Sequence, residues 1–204
     1  MRSVYITEHG NLDVLTYGDL PEPVVGPGDI KVRIRACSLN RLDIFIRAGL
    51  RGMRMALDTP HILGGDIAGD VAEIGQDVTL VHKNDRVVLN PQLTCKKCRQ
   101  CILGREECCV KPRRLGSTLN GGYAEFVTVP AANAILIPDQ VSYEEAACLP
   151  TVFMPSWNFL YRRARLKPWE SALILSASSG VGSAAIQLSK NVIGANVITT
   201  TSTK

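Results

Sequence analysis

Cys95, Cys98, Cys101 and Cys109 stand in a C-x2-C-x2-C-x7-C run, and thiolates at such short spacings can close around one tetrahedral Zn²⁺. With no His and no carboxylate in the run, protein sulfur would fill all four coordination positions. Such a metal holds structure and performs no chemistry, because water and substrate find no open position on it. Disulfides are the other use of clustered cysteines. Residues 1–7 lack the charged-then-apolar layout of an export signal, which gives the cytoplasm as the expected compartment, where a cysteine cluster marks metal more often than bridges. Cys108, adjacent to Cys109, is a competing fourth ligand.

A second chemistry is written further along. Residues 172–176 form a short apolar run. Ala177, Ser178, Ser179, Gly180, Val181 and Gly182 then make a turn, residues 183–190 carry helical spacing, and residues 195–199 read as a second strand. This is the beginning of a βαβ unit. Small residues permit a tight turn, Gly180 and Gly182 let the backbone approach a pyrophosphate, and the helix start supplies N–H groups and a positive dipole end. The first two glycines of the common G-x-G-x-x-G fingerprint are here Ala177 and Ser179, so the flanking strand and helix carry the reading. After the second strand come Thr199, Thr200, Thr201, Ser202, Thr203 and Lys204, with no carboxylate to hold a ribose 2′-hydroxyl. Hydroxyls and an ammonium suit a 2′-phosphate, which gives NADP(H) in preference to NAD(H).

The segments that must position these groups change character along the chain. Up to about residue 129 the apolar residues come in short runs punctuated by Gly and Pro. Residues 29–36 alternate with period two, and 85–89 and 123–129 read as strands, as in a small irregular β-barrel. Gly64-Gly65 and Gly121-Gly122 mark close approaches of backbone. Beyond Pro138 the pattern turns helical: Ser142 caps a helix with Glu145 at the capping-box position, and residues 156–165 read as a connecting helix ended by Pro168. The run 172–176 suits a strand buried in a parallel sheet. The chain has 204 residues, 46% hydrophobic and 21% charged, with a net charge of +4. That composition suits a globular fold with a sizeable core. No apolar run reaches the ~18 residues of a membrane span, and the basic groups lack interleaved aromatics, which excludes nucleic acid as partner.

The ordered motifs resemble one family. Asn40-Arg-Leu-Asp43 with Arg47-Ala-Gly49, Gly64-Gly-Asp-Ile-Ala-Gly69 with Gly75, Asn84-Asp-Arg-Val87, the four-cysteine lobe, Gly121-Gly-Tyr-Ala-Glu-Phe126 and the turn 177–182 together resemble the N-terminal part of a medium-chain dehydrogenase/reductase. The family contains the zinc alcohol dehydrogenases and the quinone oxidoreductases. The resemblance implies an α/β chain: a GroES-like β-barrel catalytic domain over 1–150 with a structural-zinc lobe at about 91–113, then a linker helix and the first βαβ portion of a Rossmann domain over 151–204. It selects Cys109 over Cys108 as fourth ligand. It also implies hydride transfer in the cleft between the domains, a small-molecule carbonyl substrate and a homodimer or homotetramer.

Departures from the alcohol dehydrogenases sharpen the expectation. Those enzymes hold a catalytic zinc with a Cys at the position of Asn40, a His at that of Gly65 and a third ligand near Thr151, and none of the three present residues replaces its counterpart as a ligand. Cys37 and Cys148 read as small buried hydrophobes, and His9, His61 and His82 as surface or turn residues. Asn40 is what zinc-independent quinone and enone reductases show. The resemblance therefore implies NADPH-dependent reduction of a conjugated carbonyl, with the Asn40 amide donating to the developing enolate oxygen and Asp43 and Arg47 organising its loop, or joined in an internal salt bridge. Pro155 replaces a Thr of many members, and Ser156 is its substitute one residue on. The alternatives are a zinc-dependent alcohol dehydrogenase, and a non-catalytic zinc-stabilised module. The chain is short for the family, which suggests a fragment of a longer oxidoreductase.

Overall fold

The computed structural model describes residues 1–54, 56–57 and 60–201, and the chain divides into two compact units, Met1–Ala147 and Cys148–Lys204. The first unit begins with β1 (Arg2–Ile6), β2 (Thr16–Asp19), β3 (Asp29–Ser38), α1 (Arg41–Ala48), β4 (His61–Ile62), β5 (Asp66–Ile74) and β6 (Arg86–Leu89). It continues through β7 (Gln92–Leu93), the short α2 (Arg99–Ile102), β8 (Arg113–Arg114), β9 (Phe126–Pro130), β10 (Ala134–Leu136) and α3 (Tyr143–Ala147). The second unit holds α4 (Phe153–Trp157), β11 (Ser171–Ile174), α5 (Gly180–Gln187) and β12 (Asn196–Thr199).

In the first unit a five-stranded antiparallel sheet runs in the order β10-β6-β5-β3-β9, beside a three-stranded sheet β2-β1-β4 and the β7-β8 pair. The period-two pattern in β3 explains its place at the centre. Ile30 and Val32 are fully buried, alternating with charged side chains on the opposite face. They pack with Ile67, Val71, Val87, Leu89, Leu115, Val127 and Val129 in one core. Register shifts against β5 at Lys31/Val32 and Ile34/Ala36 bend the end of β3, and there Cys37 faces Ile67 and Ser38 faces Asp66. Helix α1 follows at once. Its Ile46 packs on Ile6 and Leu63, and it stops at Gly49, whose left-handed φ of 65° terminates the last turn. The capping box expected at Ser142 is present: Glu145 N–H donates to Ser142 Oγ at 3.1 Å and Ser142 N–H to Glu145 Oε2 at 2.9 Å.

Three expectations are corrected here, the first being that Cys148 is exposed and not a small buried hydrophobe. His61 is 3% exposed, because it is paired with Ile6 in β4 and is not a surface or turn residue. In the second unit β11 pairs β12 in parallel, joined through α5, but β11 is buried on one face alone. Ile174 packs with Leu160 and Ala185, while Leu173 is 63% exposed because strand pleating points it away from that helical layer. Helix α4 runs on into a π-helical turn over Asn158–Arg163, and α5 into another over Leu188–Ile193. No helix among the described residues is long and apolar enough to cross a membrane.

Candidate functional site

The cysteine lobe is built on short elements. Cys98 sits at the start of α2, Cys101 lies within it, and Cys109 follows a tight turn over Glu106–Cys108. The β7-β8 pair closes the neck of the lobe, and Glu106 staples it by accepting from Lys96 Nζ at 2.7 Å and from Thr94 Oγ1 at 3.1 Å. All four Sγ atoms lie within 4.8 Å of one another, with Cys98–Cys101 at 3.5 Å, Cys95–Cys109 at 3.6 Å and Cys95–Cys101 at 4.0 Å. A regular tetrahedron with Zn–S bonds of 2.3 Å has edges of about 3.8 Å, so the cluster fits a zinc ion. Backbone N–H groups point at the sulfurs: Cys95 and Lys111 each donate to Cys109 Sγ at 3.4 Å. Donors from Cys101 and Val110 pull the Cys98 thiol down to about 6, which favours the thiolate a metal requires. Cys108 is exposed and outside the converging set.

A second cluster forms where β3, α1, β5 and β8 meet. Asn40 precedes α1, and its N–H donates to Asp43 Oδ2 at 2.8 Å, which anchors the first helical turn. The Asn40 amide points the other way, Nδ2 donating to Asp66 Oδ2 at 2.9 Å, and Ser38 Oγ donates to the same oxygen at 3.1 Å. Asp66 is 1% exposed and Asp43 7%. Burial raises the Asp43 carboxyl above the usual Asp range, against the opposing pull of N–H groups from Asn40 and Gly64 and of the Tyr123 hydroxyl. That hydroxyl, itself buried, is raised by burial and then by the Asp43 charge. Burial, then Asp43 and Asp66, push the Cys37 thiol up to about 12. Tyr123 reaches this place because residues 121–123 pair with 62–64, with Tyr123 N–H donating to Leu63 O at 3.0 Å and Gly122 N–H to Gly64 O at 2.8 Å. Gly64 has φ of 92°, and a Cβ there would stand 2.6 Å from the Tyr123 ring.

Arg47 takes no part in this network. Among the described residues it forms no ion pair with Asp43, and its Nε is buried without a hydrogen-bond partner. The expected salt bridge fails because Asp43 turns inward to the N-terminus of α1. Sequence reasoning also passed over Asp66, Tyr123 and Arg114 as site residues. The first two lie inside quoted motifs and were open to it, whereas Arg114 carries no sequence signal beyond its charge. The donors of this cluster do not fit a catalytic zinc: a thiol held protonated, an amide committed to Asp66, a glycine at 65 and a guanidinium close by leave no ligand set. Among the described residues, the four cysteines are the one group of three or more His, Cys, Asp or Glu whose ligand atoms converge.

The third site is the turn between β11 and α5. Ser179 caps α5, its Oγ accepting from Gly182 N–H at 3.0 Å. A Cβ on Gly182 would stand 2.2 Å from Ser176 O, so helix and strand approach to a distance that only glycine permits. Ala177, Ser178, Ser179, Gly180 and Val181 form the partly open rim of this turn, and Gly182 is buried beneath it. Ser156 is fully buried. Its hydroxyl lies 2.6 Å from Val152 O and 3.2 Å from Val181 O, tying α4 to the turn and leaving no donor for a ligand, contrary to the role expected of it. Thr200 Oγ1 accepts from Ser176 N–H at 3.3 Å and Thr199 Oγ1 donates to Ile174 O at 2.9 Å. Thr199 has thus committed its O–H at the strand end, whereas Thr200, an acceptor in this bond, has not. Ser202, Thr203 and Lys204 lie outside the described residues.

An antiparallel β unit bearing a four-thiol lobe, followed by a strand, a glycine turn, a capped helix and a parallel strand, defines a GroES-like domain continued by the start of a Rossmann fold. Residues 26–139 match the alcohol dehydrogenase GroES-like domain family, and the chain belongs to that family and so to the zinc-type medium-chain dehydrogenases/reductases. It is 30% identical over 201 residues to an NAD-dependent alcohol dehydrogenase of Sulfolobus acidocaldarius, covering 97% of this chain and 58% of that one. It is 29% identical over 186 residues to an L-threonine 3-dehydrogenase of Streptomyces coelicolor, covering 91% and 53%. A crystal structure of an NAD-dependent alcohol dehydrogenase superposes with a TM-score of 0.93 at 38% identity, over 100% of this chain and 58% of the other. The chain thus spans little more than half the length of these relatives.

Proposed function

We propose that this chain carries the substrate domain and nucleotide turn of a nicotinamide-dependent oxidoreductase that interconverts an alcohol and a carbonyl, with one structural zinc in the Cys95, Cys98, Cys101 and Cys109 lobe. The observation that carries the reading is the turn at Ser176–Gly182, where strand and capped helix approach as closely as a pyrophosphate cradle requires. A bound nicotinamide dinucleotide would supply or accept the hydride. Ser179 and the N–H groups of the first turn of α5 would hold its phosphates. Asn40, oriented by Asp66, keeps a second amide hydrogen with which to bind a substrate oxygen. The names of the relatives favour alcohol dehydrogenation over enone or quinone reduction and NAD(H) over NADP(H).

Quinone or enone reduction stands as a second reading on one observation: Asn40, Gly65 and the nearby guanidinium are poor company for a catalytic metal. The test is fluorescence titration of the purified chain with NADH and with NADPH, together with zinc counting. NADH binding with one zinc per chain is the expected result. Tighter NADPH binding would reverse the cofactor assignment, a second zinc would return the site to metal chemistry, and failure of both dinucleotides to bind would sink the reading for this chain.

A further inference from the structure

Asp43 and Asp66 are both buried in the first unit, and both act on Cys37 and Tyr123, which marks them as neighbours. Two carboxylates taken out of water need a cation or must give up charge by binding a proton. The titratable and polar groups that face them come from every element packed there: Cys37 and Ser38 from β3, Asn40 just ahead of α1, Tyr123 ahead of β9 and Arg114 from β8. Of these groups Arg114 is the cation. The residue is half-buried, its Nε is buried, and the guanidinium lies against Gly65: a Cβ at Gly65 would be 3.8 Å from Nη2 and 3.9 Å from Nε of Arg114, and 3.2 Å from Leu115 O. Any side chain at position 65 would begin in the space beside the guanidinium. Burial lowers the Arg114 guanidinium, and Asp66 and then Asp43 oppose that shift, which agrees with its place beside Gly65 in one charge cluster with the acids.

We propose that the Arg114 guanidinium is the resident cation of this pocket: seated beside Gly65, it compensates Asp66 and Asp43 where a divalent ion would otherwise be needed, and the pocket therefore takes no second metal. Arg114 is a positioning residue in this scheme. It holds Asp66, and Asp66 holds the Ser38 hydroxyl and the Asn40 amide. The inference goes beyond the dehydrogenase reading and does not depend on it, since neither its geometry nor its test involves a dinucleotide.

The test compares the purified chain with R114M, R114K, D66N and the R114M/D66N pair, each equilibrated with excess Zn²⁺ and then freed of loose ions. Bound zinc is counted by mass spectrometry and stability is read by urea unfolding. Wild type and R114K should hold one ion per chain. R114M should lose stability that R114K largely keeps, and the double variant should regain most of the loss, because removing the acid together with its cation leaves no uncompensated charge. Should R114M fail to fold, recovery of a folded chain in R114M/D66N is the same positive result. Two ions on the wild type would overturn the proposal, as would R114K falling as far as R114M or losses in R114M and D66N that simply add.

Discussion

At the scale of single residues the chain places its charges and sulfurs by burial. Cys98 and Cys109 are drawn towards the thiolate by backbone N–H groups, while burial drives Cys101 of the same lobe up to about 11 and Cys37 up to about 12. Convergence separates them: Cys101 belongs to the four-sulfur set that fits a metal and Cys37 does not. Cys98→Ser is expected to abolish zinc retention and expose the lobe to proteolysis near Lys96 and Lys97 while the β core stays folded, as metal analysis and limited trypsinolysis of the chain would show. Retained stoichiometric zinc in that variant would assign the site to other ligands. Asp43 gives a pH prediction of defined sign. Burial raises its folded value above that of the unfolded chain, so its ionised form costs stability at neutral pH, and that cost shrinks as pH falls through the folded value towards the ordinary one. Asp43→Asn should therefore make the change in stability on going from pH 7 to pH 5 less favourable than in the wild type, as urea unfolding would show. A more favourable change in the variant would contradict the assignment.

Elements act by fixing where a side chain starts. Asn40 belongs to the site because it precedes α1, where Asp43 secures its N–H and frees its amide to reach Asp66 on β5. The turn before α5 depends on one glycine in the same way. With Ser176 O at 2.2 Å from a Cβ on Gly182, Gly182→Ala must push the helix away from β11. The expected outcome is loss of dinucleotide binding in fluorescence titration, together with a lowered melting temperature. Unchanged NADH affinity would detach the turn from the cofactor. The helix starts were legible in the residues themselves, as Ser142 and Glu145 show, because a cap is a contact between positions three apart. The continuation of α4 and α5 as π-helical turns was not, since it depends on packing within the unit, which periodicity does not encode.

For the whole molecule, Met1–Ala147 contains its own core, from Ile30 and Val32 through Val127 and Val129, and the complete thiol lobe. A chain ending at Ala147 is accordingly expected to fold cooperatively, retain one zinc and bind no dinucleotide, as circular dichroism, metal counting and NADH titration would establish. Failure to fold would mean that this core is insufficient by itself. The sequence alone determined whatever lies in short spacings: the four-cysteine lobe, the alternation of β3, the helix caps and the glycine turn that opens α5. These rest on local stereochemistry and ligand geometry, which neighbouring residues settle among themselves. Tertiary structure decided that His61 is interior, that Asp43 turns from Arg47 to the backbone of Asn40, that the hydroxyls of Ser156 and Thr199 are already committed, and that Arg114 comes to rest beside Gly65. Each of these joins groups that are distant in the chain or turns a side chain towards one of two competing partners, and such choices are made by burial and the pairing of buried polar groups, which exist only once the chain has folded.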